Sequence, residues 1–213
     1  MPYASLREFI SHLEKNSKLV RVSEPVSPFL EMTEIQTRLL SENGPAVLFE
    51  NVIKANGDKF DMPVLANLFG TVERVAWGMD REPSELRKIG ETLAFLRQPE
   101  PPGGWRDAIA MMPLLKTVMA MKPRTLSSAP CQDIVLTGDD IDLSILPIQT
   151  CWPGEPAPLI TWPLVVTQGP TKKREDAFNL GIYRMQVTGK DTTLMRWLKH
   201  RGGAQHHARW KKE

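Results

Sequence analysis

Long apolar runs are missing from this sequence of 213 residues. No stretch approaches the roughly 20 consecutive apolar residues that a membrane-spanning helix needs. Residues 1–18 alternate charged and apolar side chains, so they lack the continuous apolar segment of a secretory signal. These absences favour a soluble protein of the cytoplasm.

An excess of charge of one sign is also missing. The chain has 27 basic and 25 acidic residues, which gives a net charge of +2. Nucleic-acid-binding proteins usually carry a strongly basic chain or stripe, so this balance argues against a nucleic-acid partner. Hydrophobic residues make up 41% of the chain, which is enough for a real core.

Cysteine is scarce, and common nucleotide-binding motifs are absent. Cys131 and Cys151 are the two cysteines, and neither lies in a CxxC pair. We interpret them as reduced thiols, with a disulfide or a catalytic thiol as the alternatives. The chain has no P-loop and no GxGxxG motif, no internal repeat and no low-complexity tract.

Two kinds of pattern divide the chain near residues 122–130. Before this point, helical spacing predicts helices over residues 5–16, 30–43, 84–98 and 106–121, and apolar runs predict strands over residues 18–22, 45–52 and 62–68. After it, short strands are predicted within residues 132–149, 159–170, 179–189 and 192–198. The pattern predicts an α+β fold with an N-terminal α/β domain over residues 1–124 and a β-rich domain over residues 125–213.

The segment NLGIYRMQVTGKDTTLMRWLKHRGG, residues 179–203, combines a predicted hairpin with many cationic and ligand side chains. Arginine suits phosphates and carboxylates, because its planar fork donates two parallel hydrogen bonds. Asn179 and His200 are acceptable ligands for a divalent ion that bridges to a phosphate, and Gly202 and Gly203 offer close backbone approach. These residue types predict a metal-assisted phosphate site. The alternative is a solvated sheet face with cross-strand pairs and a surface histidine.

Strand alternation sets a condition on this hypothesis. In a continuous strand, Asn179, Gly181 and Tyr183 share one face, while Ile182 and Arg184 share the other. Asn179 and Arg184 therefore reach the same ligand only if a bulge or a strand end lies between them.

Long motifs stand along most of the chain, among them SLREFISHLE, NGPAVLFENV, MPVLANLFGTVERVAWGM, LPIQTCWPGEPAPLITWPLVVTQGP, NLGIYRMQV and LMRWLKHRGGA. Together they resemble the UbiD family of prenylated-flavin-dependent decarboxylases. The resemblance implies that the β-rich domain is part of a flavin-reductase-like split β-barrel. It also implies non-oxidative decarboxylation of 4-hydroxy-3-polyprenylbenzoate in ubiquinone biosynthesis, with another aromatic acid as the alternative substrate.

The same resemblance assigns roles to individual residues. Asn179 and His200 are expected to ligate a divalent metal, usually manganese, that holds the cofactor phosphate. Arg184 is expected to face the substrate carboxylate and to be the catalytic residue. The expected contacts with prenylated FMN come from Ile182, Tyr183, Arg184, Arg196, Trp197, Leu198, Arg201 and Gly202. A flavin prenyltransferase is the expected supplier of the cofactor.

Members of this family are more than twice as long as this chain. Their acidic third metal ligand, their acidic proton donor and the domain that supports homo-oligomers are expected beyond residue 213. We therefore expect activity from the full-length relative, at the inner membrane surface where a polyprenyl substrate resides. The alternative is a catalytically inactive remnant or an interaction module. Asp139, Asp140 and Asp142 are interpreted as turn formers, and residues 206–213 as an exposed end.

Overall fold

The computed structural model describes residues 3–98, 104–105, 109, 111–120, 126–173 and 176–213. The chain forms two compact units, a larger one of Met1–Arg74 with Gly138–Glu213 and a smaller one of residues 75–137. The boundary predicted between residues 124 and 125 lies outside the described residues. None of the helices in the described ranges is long and apolar enough to cross a bilayer.

A three-stranded sheet organises the first part of the larger unit. Strand β1 (Leu19–Val22) pairs in parallel with β2 (Ala46–Phe49), and β2 pairs antiparallel with β3 (Val64–Ala66). All four residues of β2 are buried, because the sheet is covered on both faces there. The core cluster at this sheet consists of Val26, Met32, Val47, Phe49, Val52, Phe60 and Ala66.

Two amphipathic helices belong to the same region, close to where their sequence patterns predict them. Helix α1 (Leu6–Lys15) begins where the Ser5 hydroxyl accepts a hydrogen bond from the Glu8 N–H, and it buries Phe9 and Leu13. Helix α2 (Glu31–Ser41) buries Met32. Past its end, Asn43 adopts a φ of 54°, and the Gly44 N–H donates to the Leu39 carbonyl.

Further helices follow within the described residues. Helix α3 (Val72–Gly78) begins in the larger unit, whereas α4 (Leu86–Arg97) and α5 (Met112–Ala120) belong to the smaller one. The helix predicted over residues 106–121 is thus observed from Met112 onward, and part of its predicted beginning lies outside the described residues. Pro113 falls in the first turn of α5, where a missing N–H removes no helical hydrogen bond.

The strands predicted within residues 132–149 are wrong. This segment instead forms 3₁₀ turns at Pro130–Gln132, Gly138–Asp140 and Leu143–Ile145. The reason is local: Gly138 adopts a φ of 56°, and the Asp142 carboxylate accepts a hydrogen bond from the Ser144 N–H. Short polar side chains of this kind compete with strand pairing. The interpretation of this acidic stretch as turn-forming agrees with the structure.

The β-rich part of the larger unit contains two small antiparallel sheets. One has the order β4 (Leu159–Ile160), β7 (Met185–Val187) and β8 (Thr193–Met195). The other pairs β5 (Leu164–Thr167) with β6 (Asn179–Ile182). Helix α6 (Gly202–Trp210) follows. The α+β class is confirmed, and the split barrel stays a prediction.

Candidate functional site

The strand predicted within residues 179–189 is divided in two. Strand β6 ends at Ile182 and β7 begins at Met185, so the chain changes sheets across Tyr183 and Arg184. Within β6, Asn179 and Gly181 are half-buried while Leu180 and Ile182 are exposed, and Tyr183 is buried. A strand end therefore lies between Asn179 and Arg184, which is the condition that a shared ligand requires.

The amide group of Asn179 is oriented by its neighbours. Its Nδ2 donates to the Oγ1 of Thr167 and to the hydroxyl of Tyr183, each at 3.3 Å. Thr167 is the cross-strand partner of Asn179 in the β5–β6 pair. An amide nitrogen has two donors, and both have an acceptor here. The Oδ1 atom is directed at the start of α6, because a Cβ built on Gly202 would overlap it.

Tyr183 connects β6 to the beginning of α6. Its side chain is 9% exposed, and its hydroxyl accepts a hydrogen bond of 3.1 Å from the Gly203 N–H. Its ring lies 6.0 Å from the ring of Trp197, which has His207 as its other aromatic neighbour at 5.5 Å. A Cβ on Gly181 would collide with the Tyr183 ring, so glycine is required for this packing.

Helix α6 is anchored to the chain around β5. The buried Asp176, which is 2% exposed, accepts hydrogen bonds from the Thr171 N–H, from the Thr171 hydroxyl and from the Arg209 Nε. The hydrogen bond from the Thr171 hydroxyl is the main cause that holds the pKa of Asp176 below its usual value. Arg209 lowers this pKa further, and burial acts in the opposite direction. The ring Nδ1 of His206 lies 2.9 Å from the Thr167 hydroxyl.

The prediction of an exposed end over residues 206–213 is confirmed for most of these residues, but it is wrong for His206, which is buried, and for Arg209, which is half-buried and binds Asp176. Helical periodicity gave little signal for α6, because it starts with two glycines, which are poor helix formers. The contacts that hold α6 join distant parts of the sequence: Thr167 and His206 are 39 residues apart, and Asp176 and Arg209 are 33 residues apart. Thr167, Asp176, His206 and Arg209 are the residues of this site that the sequence did not indicate.

The predicted site residues divide into two groups. Asn179, Tyr183, Trp197 and Gly202 come together through the contacts above. The side chains of the second group are exposed to solvent, and this group consists of Ile182, Arg184, Arg196, Leu198, His200 and Arg201. Across the described ranges, no three residues of the types His, Cys, Asp and Glu form a cluster that could hold a metal.

Both cysteines are free thiols, so the alternative of a disulfide is not realised in the structure. Cys151 is buried, and burial raises the pKa of its thiol, while Arg184 acts in the opposite direction with a smaller effect. A raised pKa disfavours the thiolate, which is the nucleophilic form. The alternative of a catalytic thiol therefore has no support at Cys151.

Two family models match this chain. One is the N-terminal domain of 3-octaprenyl-4-hydroxybenzoate carboxy-lyase, over residues 10–93, and the other is the Rift-related domain of the same enzyme, over residues 124–213. The chain belongs to the UbiD family. All the predicted site residues lie within the second match, over residues 124–213.

Solved structures of UbiD enzymes have a similar fold. An evolved dimeric form of HmfF from Pelotomaculum thermopropionicum, in complex with prenylated FMN, shares 26% identity at a TM-score of 0.66, over 92% of this chain and 39% of that one. The closed form of vanillic acid decarboxylase from Sedimentibacter hydroxybenzoicus shares 24% identity at a TM-score of 0.71, over 96% and 39%. The chain thus spans about two fifths of the length of these UbiD proteins.

The contacts around Asn179 fit a metal and a phosphate in part. With its nitrogen already bonded, Asn179 presents an oxygen, the kind of ligand that manganese and magnesium accept. The start of α6 adds backbone N–H groups and the positive end of the helix dipole, both of which favour a phosphate. Within the described residues, however, no group of three His, Cys, Asp or Glu side chains lies here that could complete a metal site.

Proposed function

We propose that this chain supplies the cofactor-phosphate site of a UbiD decarboxylase. The reaction is the non-oxidative decarboxylation of 4-hydroxy-3-polyprenylbenzoate to 2-polyprenylphenol and carbon dioxide, with prenylated FMN, in ubiquinone biosynthesis. The observation that carries the proposal is the fixed amide of Asn179, whose oxygen is directed at the start of α6. The activity of a whole UbiD protein, its substrate and its partners are all part of the proposal.

The residues of the site would divide the work of holding the cofactor. Asn179, through its Oδ1, and His200 would ligate a manganese ion that also contacts the cofactor phosphate. The backbone at Gly202 and the guanidinium of Arg201 would bind the phosphate directly. The rings of Tyr183 and Trp197 would pack at the flavin, with the remaining contacts from Ile182, Arg196 and Leu198.

Arg184 would receive the substrate carboxylate. It follows Tyr183 at the point where the chain changes sheets, so an anion bound by it would lie next to the proposed cofactor site. Its planar fork pairs with a carboxylate through two hydrogen bonds, which would orient the acid and stabilise its charge once water is excluded. When bound, prenylated FMN supplies an electron sink for the electron pair left by departing carbon dioxide.

The polyprenylbenzoate substrate is supported by the family description, which names 3-octaprenyl-4-hydroxybenzoate in both matched domains. A different aromatic acid is the second candidate, since the structurally similar enzymes include decarboxylases of vanillic acid and of 3,4-dihydroxybenzoic acid. A polyprenyl tail would bring the protein to the inner membrane surface, and a flavin prenyltransferase would provide the cofactor. The dimeric form of HmfF supports a homo-oligomer.

Cofactor binding is the first test. The 213-residue chain is produced together with a flavin prenyltransferase and manganese, then analysed by native mass spectrometry and by its absorbance spectrum. We expect a bound mass equal to prenylated FMN plus one manganese ion. Asn179→Ala should abolish the bound mass, and Thr167→Val should lower it, because the valine removes an acceptor that orients Asn179. Asn56→Ala, at an exposed turn, is the matched control and should retain full binding.

A chain that folds but binds neither flavin nor metal would contradict the proposal for this cofactor site and favour the inactive remnant or interaction module. Substrate choice is tested separately in a full-length protein that contains these residues, by carbon dioxide release from 4-hydroxy-3-polyprenylbenzoate, vanillic acid and 3,4-dihydroxybenzoic acid. Release from one of the last two acids alone would overturn the proposed substrate and leave the cofactor site standing.

A further inference from the structure

A second concave site lies within the larger unit, and it shares no lining residue with the cluster around Asn179. It is a cavity of about 700 Å³. Cavities that bind small molecules usually measure roughly 300–1,000 Å³. Its lining residues are drawn from four segments, within residues 27–29, 54–60, 142–150 and 187–190, together with Pro158.

Backbone hydrogen bonds hold the walls of this cavity in place. The Leu30 N–H donates to the Thr150 carbonyl at 2.9 Å, and the Thr150 N–H donates to the Pro28 carbonyl at 3.1 Å. On another side, the Leu143 N–H donates to the Lys190 carbonyl at 2.7 Å. These bonds join segments that are far apart in sequence, so the cavity is formed before any ligand arrives.

Most of the lining is apolar. Phe60, Leu146, Ile148 and Val187 are among the lining residues, and so is Phe29, which is 63% exposed. A large aromatic side chain beside a concave apolar wall gains free energy when a ligand covers it. The cavity therefore suits a ligand with an apolar body.

Three charged residues line the cavity, namely Lys54, Lys190 and Asp142, which leaves one net positive charge. Asp142 already accepts a hydrogen bond of 2.8 Å from the Ser144 N–H. The hydrogen bonds with Ser144 lower the pKa of Asp142 most, and Lys190 and Lys54 lower it further with smaller effects. The Lys190 Nζ donates to the Asp139 carbonyl at 2.5 Å and keeps two further donors.

We propose that this cavity binds a small organic carboxylate with an apolar body of aromatic size. Lys54 and Lys190 receive the carboxylate, and the apolar body covers Phe29. The proposal concerns a site separate from the cofactor cluster, and it does not depend on the decarboxylase function.

The test measures binding of 2-naphthoate to the 213-residue chain by isothermal titration calorimetry, with 2-naphthalenemethanol as the neutral counterpart. We expect saturable binding at one site, about tenfold tighter for the acid than for the alcohol. Lys54→Met and Lys190→Met should each weaken binding of the acid about threefold to tenfold and leave binding of the alcohol unchanged. Added salt should weaken binding of the acid and leave binding of the alcohol unchanged.

Two variants serve as controls. Lys59→Met changes an exposed lysine close to Lys54 in sequence that does not line the cavity, and it should leave both affinities unchanged. Ala55→Trp fills the cavity from an exposed turn and should abolish binding of both ligands.

Equal affinities for acid and alcohol would overturn the proposal, and so would an absence of saturation at millimolar concentrations. A loss of affinity as large in Lys59→Met as in Lys54→Met would overturn it as well, because the attraction would then be diffuse. Circular dichroism verifies that each variant is folded. If Ala55→Trp does not fold, the two lysine variants decide the outcome.

Discussion

Two sheets of the larger unit differ in how far their apolar side chains are exposed to solvent. In β2, all four residues are buried within a closed core. In the β5–β6 pair, one face carries Leu164, Val166, Leu180 and Ile182, which are 68%, 61%, 64% and 53% exposed. The register places Leu164 opposite Ile182 and Val166 opposite Leu180, so the four form one continuous patch. The first sheet is covered by its own helices and strands, whereas the second leaves a continuous apolar face exposed.

The closed core should respond most strongly to truncation. Phe49 is 1% exposed and belongs to the core cluster at β2. We expect Phe49→Ala to lower the free energy of unfolding by about 3–5 kcal/mol, because it removes apolar contacts and leaves a cavity. Urea denaturation followed by circular dichroism measures this loss. A loss below about 1 kcal/mol would show that the sheet of β1, β2 and β3 is not the closed core described above.

Asp176 should give the next largest effect, and it tests how firmly α6 is attached to β5. Asp176→Asn removes the charge that pairs with Arg209 and should lower the melting temperature by several degrees. The folded pKa of Asp176 lies below the unfolded value of about 3.9, so its contribution is present above pH 4 and is lost as the pH falls through the folded pKa. Thermal melts between pH 7 and pH 2.5 should show a smaller acid dependence in the variant. An identical dependence would contradict the ion pair.

The open face of β5–β6 should control self-association. Leu180→Ser removes an apolar side chain from the patch, and we expect less concentration-dependent association in sedimentation experiments with little change in stability. Leu40→Ser is the matched control, because Leu40 is 52% exposed on α2, away from the patch. Equal effects of the two substitutions would show that the patch does not control the association.

Local signals account for what the sequence predicted well. The Ser5 cap and the spacing of Phe9 and Leu13 define α1, and an uninterrupted apolar run defines β2. The break at Tyr183 and the position of α6 depend on contacts between distant residues, so no window of sequence contains them. Family motifs named Asn179, Tyr183, Trp197 and Gly202, which the fold brings together. The roles of these four residues stay predictions, and so do those of His200 and the exposed arginines, whose side chains point to solvent.

The smallest effect is expected from Val166→Thr, which is compared with the same substitution at a buried position of β2. Val166→Thr places a hydroxyl on the exposed face of β5, where water can hydrogen-bond to it, so the stability should change by less than about 0.5 kcal/mol. Val47→Thr makes the same change in β2, where Val47 is buried in the core cluster. A hydroxyl without a partner in such a place costs about 1–3 kcal/mol. Urea denaturation of both variants compares the two sheets directly, because the side chains keep nearly the same volume. A loss of 1 kcal/mol or more for Val166→Thr would mean that the β5–β6 face is already covered, for example by a second copy of the chain. Sedimentation of the same variant would then show a change in association.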